Sequence, residues 1–424
     1  MRRYRNNSGH KNEQGLIITL IAIFMLGVVG AMAALSIDVV TFYTARSEAQ
    51  LAADGAALAG ARVLANSGMT SDDTLAPSAA TQCQTTASLV AQSNQIGGQN
   101  LTAAQITVTC NTGSQNNPTV TVKVQTALPT FFARMWGTTQ VTIAASATAE
   151  AYNPQGLGAG AAPVAVACVK PLLLPNTDPS NSGNPIFDPT TGEIRTTSKL
   201  LGSQQTLIGT GTSGWIYTAG DTFSTPNPSF PPPAASSVTC SASAAAFNSF
   251  QLSVAGCVQT PIACNAPAVG IIPYGAYTGD YGSNLDTDTQ AAVNCLSHST
   301  TSHGDTIFPT SNPPPAPFEF VSGADNPIVQ SGALASATDI LVSDSLVTVP
   351  VYDTPPFENP ATIVGFAQLF LNPDGNPAPG GATGILATVV NLVGCGTGAT
   401  GNTVYGNGPS AVPVRLITPA APTS

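Results

Sequence analysis

Charged side chains are scarce in this sequence. Lys, Arg, Asp and Glu make up 8% of its 424 residues, and Thr, Ser, Asn and Gln carry most of the polarity. Four of the twelve Lys and Arg (Arg2, Arg3, Arg5, Lys11) fall in the first eleven positions, which leaves eight bases against twenty-one acids beyond Ile37. Nucleic acid and anionic lipid both recruit basic clusters, so neither is expected as a partner of that long acidic portion. No G-x-x-x-x-G-K-[ST] loop is present to cradle a phosphate, and no G-x-S-x-G elbow to present a nucleophilic serine. Beyond Ile37 the only histidines are His298 and His303, so a general base would have to be one of them or a carboxylate with a raised pKa. The residues point to no enzyme and to no cofactor.

Proline is missing from the first seventy-six positions, and all thirty-five prolines follow from Pro77 on. Long helix is therefore expected only in the early part. The eight cysteines (Cys83, Cys110, Cys168, Cys240, Cys257, Cys264, Cys295, Cys395) include no close C-x-x-C pair, which argues against zinc and for disulfides in an oxidising compartment. Eight cysteines allow 105 pairings. The pair favoured is Cys83 with Cys110, because both lie within one short segment.

What is present, first, is a run of twenty-two residues, Leu16 to Ile37, without a charge. As helix it covers about 33 Å, enough to cross a hydrocarbon core with some tilt. A cleavable signal is shorter, with an apolar stretch of about 7–15 residues; Ala31, Ala33 and Ala34 could imitate its cleavage site, but the apolar stretch continues through Leu35 and Ile37. A retained span is the reading, with basic residues 2–11 holding the amino end in the cytoplasm and the bulk outside. Gly27 with Ala31, and Gly30 with Ala34, are small-xxx-small pairs of the kind that let helices meet in lipid.

Beyond the span, Ala45, Ala49, Ala52, Ala56, Ala59 and Val63 recur at alternating steps of four and three. This heptad spacing marks one seam along a continuous helix of roughly 50 residues. The seam admits two readings: bundling with similar helices, or packing on the protein's own globular part. A second helix is expected over Ala79 to Ser93, followed by strands at Gln105–Cys110, Thr119–Thr126 and Gln140–Glu150, where Val120, Val122 and Val124 show the period of two. The bulky connection Phe131-Phe132-Ala133-Arg134-Met135-Trp136-Gly137 is expected to cap this sheet. The organisation is thus residues 1–15, a basic tail; 16–37, the span; 38–152, a small helix-on-antiparallel-sheet domain; 153–162, a Gly/Ala-rich linker; and 163–424, a β-rich exported domain. The fold class is α+β. Strands of the last part are expected at Leu207–Ile208, Val269–Ile272, Ile340–Val351, Thr362–Leu371, Ile385–Val393 and Val412–Ile417, and polyproline-like loops at Pro226–Pro233 and Pro313–Pro317.

Three constellations could bind metal. Asp178-Pro179-Ser180-Asn181-Ser182 fits the D-x-S-x-S of von Willebrand A domains, but Pro171 and Pro175 interrupt the preceding stretch and no βαβ alternation follows, so a surface turn is expected. His298, His303 and Asp305 lack helical metal spacing and read as a polar loop. Asp280, Asn284, Asp286 and Asp288 offer oxygen ligands without EF-hand spacing. Trp215, Tyr217, Tyr274, Tyr277 and Tyr281 could stack on sugars, the basis of an alternative adhesin or glycan-binding reading, or could simply pack in a core.

In order and spacing Gln14-Gly15, the span, Asp38, Tyr43, Arg46, Gln50, Asp54, Ala57 and Leu58 resemble the amino-terminal module of Flp/Tad pilus-assembly proteins of the TadG type. Ala49 and Gly55 depart from the usual Leu and Ala. Phe131 to Gly137 with Ala145 to Ala151, and more loosely Cys168-Val169-Lys170-Pro171, Val349 to Tyr352, Val364-Gly365-Phe366 and Val412 to Leu416, are similar to later parts of larger members. The resemblance implies a pilin-like helix and a membrane-anchored structural or accessory role in a bacterial inner membrane. Its implied partners are pilin-like or Tad apparatus membrane proteins, with no small-molecule substrate. A processed pilin carries Glu at its fifth mature position; counting from Gly15 puts Leu20 there, which implies a retained assembly factor.

Overall fold

The computed structural model describes residues 11–155, 162, 164–181, 184–195, 200–209, 214–224, 227–228, 234–238, 246–263, 274–276, 285–298, 304–308, 317–353, 361–371, 384–396, 403–406 and 410–417. Among them the helices used below are α1 Lys11–Asn66, α2 Ala76–Gln92, α3 Ser249–Ala255 and α4 Leu285–Leu296. The strands are β1 Ile106–Asn111, β2 Thr119–Pro129, β3 Gln140–Ala151, β4 Leu172–Pro175, β5 Gln204–Ile208, β6 Leu346–Tyr352, β7 Ile363–Leu371, β8 Ile385–Gly394 and β9 Val414–Ile417. The class is α+β, with a long apolar amino-terminal helix and a β-rich remainder. The helix expected over roughly 50 residues runs for 56, through the proline-free stretch, without a break.

Two compact units make up the chain. One comprises Met1–Ala56, Ser88–Thr107 and Val122–Ala147, the other Ala57–Ala87, Val108–Thr121 and Thr148–Ser424. The boundary expected after residue 152 falls inside the second unit, which joins Ala57–Ala87 and Val108–Thr121 to Thr148–Ser424. The start of the expected linker is also fixed in place. Asn153 is fully buried, and its Nδ2 donates to the carbonyls of Thr70 and Leu392 at 3.0 Å each; residues 156–161 of the linker lie outside the described residues.

One antiparallel sheet has the order β9-β3-β2-β1. Its inner strand β2 buries Val120, Val122 and Val124, as the alternation predicts. The carboxy-terminal strand β9 returns to pair with Thr148–Ala151 of β3. Arg415 of β9 meets the Glu150 carboxylate at 2.6 Å and lies 5.6 Å over the Tyr152 ring. Helix α2 is tied to β1 by the disulfide Cys83–Cys110, the pair favoured from sequence. Gly60 of α1 fits beneath it because it has no side chain: a Cβ there would lie 2.9 Å from Val120 Cγ1 and 3.2 Å from Cys83 Sγ. The hairpin Gln95–Ile96/Gln99–Asn100 turns on Gly97 and Gly98, both at positive φ (58° and 77°), the conformation a two-residue primed turn demands.

The largest sheet runs 227–228, 218–224, β4, β6, β7, β8, β5, 215–216. Strands β6 and β7 are buried at every position, so both faces of the sheet are covered and the sequence loses its alternation there. On one face Val347, Val349, Leu369, Ala387 and Val389 pack with Phe250 and Val254 of α3 and Ala292 and Val293 of α4. These two helices were not anticipated in a region expected to be strands and loops. On the other face Leu346, Phe370 and Val390 pack with Phe318 and Phe320, the Phe320 and Phe370 rings stacking 5.4 Å apart.

A bulge in β8 sets the chemistry of that second face. Gln368 pairs with Asn391 but Leu369 pairs with Val389, so Val390 is the extra residue. Without it Asn391 would continue the Ile385, Ala387, Val389 series into the apolar cluster. With it, Asn391 shares a face with Val390 and meets the end of α1. Its Nδ2 donates to Ala65 O at 2.8 Å and to Thr70 Oγ1 at 3.0 Å, and its Oδ1 accepts from the Ser71 hydroxyl and from Leu392 N.

The expected strands at Leu207–Ile208, Thr362–Leu371, Ile385–Val393 and Val412–Ile417 are present with shifted ends, and Ile340–Val351 divides into Asp339–Ile340 and β6. Val269–Ile272 lies outside the described residues, as do most of the two proline-rich loops; Asn227–Pro228 within the first pairs with Phe223–Ser224.

Candidate functional site

Helix α1 carries most of the residues singled out from sequence. Its stretch from Leu16 to Ile37 shows almost uniformly exposed apolar side chains, for example Phe24 at 69% and Leu26 at 76%. It is long and apolar enough to cross a membrane. Within it Gly27 and Gly30 have nothing within 4 Å of where a Cβ would stand, and Ala31 and Ala34 are half-exposed. Gln14 and Gly15 fall in the first turns of the helix.

The seam beyond the span behaves differently. Ala45, Ala49, Ala52 and Ala56 are at most 1% exposed and Ala59 8%, as are Ala57 and, in part, Leu58. Of the two readings left open by the heptad spacing, packing within the protein's own chain is the one seen for these alanines. Of the small residues read as helix-packing positions, Gly27, Gly30, Ala31 and Ala34 of the span are not closed off in this way.

Asp38, the first charge after the span, is 1% exposed. Its carboxylate accepts the main-chain N–H groups of Phe131 (3.0 Å), Phe132 (3.0 Å) and Ala133 (2.7 Å), at the start of the 3₁₀ turn Ala133–Trp136. Burial works to raise its pKa, but the three amides and the nearby Arg134 outweigh that, so the carboxyl is held below its usual range. The loop neck is closed by Thr130 N donating to Thr139 O at 3.1 Å. This connection, expected to cap the sheet, instead leaves Phe131, Met135 and Trp136 between 57% and 76% exposed. Further along α1, Gln50 Nε2 donates to Asp54 Oδ1 at 2.7 Å and reaches Ser146 O, and Glu48 accepts from Gly97 N at 2.7 Å. Tyr43 and Arg46 are exposed.

A second cluster, not read from sequence because its members are far apart in the chain, lies beside the disulfide Cys168–Cys257. A cavity of about 220 Å³ is lined by these cysteines together with Lys170, His298 and Asp344. Lys170 is 5% exposed and its Nζ donates to Gly256 O at 2.5 Å. Burial drives the ammonium down to about 8 from 10.5, with Asp344 offsetting part of the shift. His298 Nε2 lies 2.9 Å from Asp344 Oδ2. Between pH 8 and 10.5 the unfolded chain binds a proton at Lys170 that the folded chain does not, so stability should rise with pH across that window by about 3 kcal/mol. Below pH 8 the penalty is present in full. In urea titrations this gain should be present in the wild type and absent from Lys170→Met; parallel pH profiles would refute it.

Among the described residues no group of three or more His, Cys, Asp or Glu is placed to hold a metal ion. The expected turn is present, with Ser180 exposed; Asp178 is itself 1% exposed, and its Oδ1 accepts the N–H and hydroxyl of Ser180 at 2.7 and 2.6 Å, closing the turn, while Ser182 lies outside the described residues. Asp305 is buried and accepts from Gly323 N, Asn326 Nδ2 and the Ser343 hydroxyl, apart from the His298–Asp344 pair; His303 lies outside the described residues. Asp286 accepts from Gly209 N and Asp288 from Asn248 Nδ2, each a fold-holding bond, while Asp280 and Asn284 lie outside the described residues. Of the aromatic residues considered for sugar stacking, Trp215 and Tyr217 are core side chains, 2% and 1% exposed. Tyr274 stands in the strand Tyr274–Ala276, and Tyr277 and Tyr281 lie outside the described residues.

No curated protein and no solved structure matches the chain. One family's sequence model does, that of the "Putative Flp pilus-assembly TadE/G-like" family, over residues 17–63. The match begins at the span, includes Asp38, Tyr43, Arg46, Gln50 and Asp54, and stops within the last turns of α1. Over this stretch, residues 17–63, the chain is similar to the TadE/G-like family of Flp pilus assembly.

Proposed function

We propose that the protein is a retained, single-pass structural or accessory component of Flp/Tad pilus assembly, acting by contact and not by catalysis. Its amino end lies in the cytoplasm, its helix crosses the bacterial inner membrane, and its β-rich bulk faces the periplasm or the exterior. The match over residues 17–63 supports involvement in the assembly process, and the basic residues before the span support the orientation.

The observation that carries the reading is the division of labour along α1. The alanine seam is consumed inside the chain, whereas the face bearing Gly27 and Gly30 is bare. Helix contact in lipid depends on close approach at such small residues, so this face is where a pilin-like or apparatus membrane helix docks. The test is the double variant Gly27→Leu with Gly30→Leu, which fills open space and leaves the fold intact. It should lose co-purification with the apparatus membrane proteins, with an unaltered denaturation midpoint. Undiminished association would refute docking on this face. By contrast Ala56→Leu overpacks a closed site and should lower stability by about 1–3 kcal/mol.

A further inference from the structure

The loop that clasps Asp38 sits beside the end of the apolar run of α1. Asp38 immediately follows the apolar run ending at Ile37, and the amides of Phe131, Phe132 and Ala133 lie within 3.0 Å of its carboxylate oxygens. The loop is held rigidly there. Gly137, at φ 94°, closes the 3₁₀ turn by donating to Arg134 O, and Thr138 N donates to Ala133 O. On this rigid support Phe131 is 57%, Met135 76% and Trp136 60% exposed. Three large apolar side chains in six residues are an expensive surface to leave in water. Exposed apolar surface also continues along α1 past Asp38, with Val40 at 64% and Tyr43 at 72%.

We propose that residues 131–137 form an interfacial membrane anchor. Phe131, Met135 and Trp136 enter the headgroup and upper acyl region of the leaflet from which α1 emerges. The occupant of this surface is lipid because the surface is continuous with the lipid-facing span. Trp and Tyr favour this layer, where an amphipathic ring has one apolar and one wet side. The insertion is driven by apolar area and not by charge, in keeping with the acidic balance of the chain, so neutral phosphatidylcholine suffices. Asp38 acts as the latch, and two points of attachment fix the rotation of α1 about its own axis, which a single helix in a bilayer leaves free. The inference rests on residues 16–37 lying in lipid.

The test uses the full chain in phosphatidylcholine vesicles with lipids brominated either near the headgroup or near the methyl end of the chain. The protein has two tryptophans, and Trp215 is buried at 2% exposure. Subtracting the emission of Trp136→Phe therefore isolates Trp136. Its emission should be quenched by the shallow bromines and much less by the deep ones, equally with and without added anionic lipid. A separate reporter, Val29→Trp in a Trp136→Phe background, reads the span and should be quenched by the deep bromines. Quenching of the Val29→Trp reporter with an unquenched Trp136 would overturn the anchor while leaving the span intact. Loss of both signals would overturn the span itself, and the anchor with it.

Discussion

Replacing Cys168 and Cys257 together by serine should lower the unfolding free energy of the detergent-solubilised chain by about 4.6 kcal/mol. The bridge closes a loop of sequence separation 89, and loop closure removes entropy from the unfolded chain in proportion to the logarithm of that length. By the same relation the Cys83–Cys110 bridge, of separation 27, contributes about 3.5 kcal/mol. The difference is small because the dependence is logarithmic. Cys168 sits at φ 58°, and its N–H donates to Val258 O at 2.9 Å, so the bridge also stiffens the wall of the Lys170 cavity. Urea denaturation of the double variant against the oxidised wild type measures the loss. A difference below about 1 kcal/mol would show that these cysteines do not constrain the unfolded chain.

The second large effect belongs to Asn391. Leucine at this position has the same number and branching of side-chain heavy atoms but can neither donate to Ala65 O and Thr70 nor accept from Ser71 and Leu392 N. Each polar group left buried without a partner costs about 1–3 kcal/mol, so Asn391→Leu should destabilise by about 3–5 kcal/mol. Asn391→Asp separates the two halves of the network. It retains the acceptor for Ser71 and Leu392 N but loses the donor to Ala65 O, and should recover only part of the loss. If Asn391→Leu were as stable as the wild type, the site would be apolar in practice and the bulge at Val390 would have no partner to serve.

How much of this was legible in the residues depends on whether the signal is local. The helix Lys11–Asn66 was legible because absence of proline, absence of charge and alanine periodicity all agree over one stretch. Strand β2 was legible because one of its faces is buried and the other is not. Helices α3 and α4 were not, since a helix of 7 residues and one of 12 lie among Pro- and Gly-rich segments whose composition reads as strands and loops. In the candidate site, Asp38 stood out as the first charge beyond the span, but its ligands are main-chain amides some 95 residues away, and main-chain groups leave no residue-type signature. The exposed Phe131, Met135 and Trp136 read as a cap because apolar residues in a soluble setting belong inside. The Lys170, His298 and Asp344 cluster is assembled by topology alone. Asn391 did carry a local signal, a lone amide amid the apolar run of β8, whose meaning depends on a one-residue bulge that no pattern announces.

Strand β9 gives the molecule an order of events. Glu150 and Arg415, which meet across the β3–β9 pairing, are 265 positions apart, so the sheet β9-β3-β2-β1 is complete only after Val414–Ile417 has been made. Until Val414–Ile417 pairs, Thr148–Ala151 presents bare ladder groups, the kind of edge from which intermolecular pairing starts. Pairing of Val414–Ile417 seals that edge, so a chain lacking these residues keeps it open.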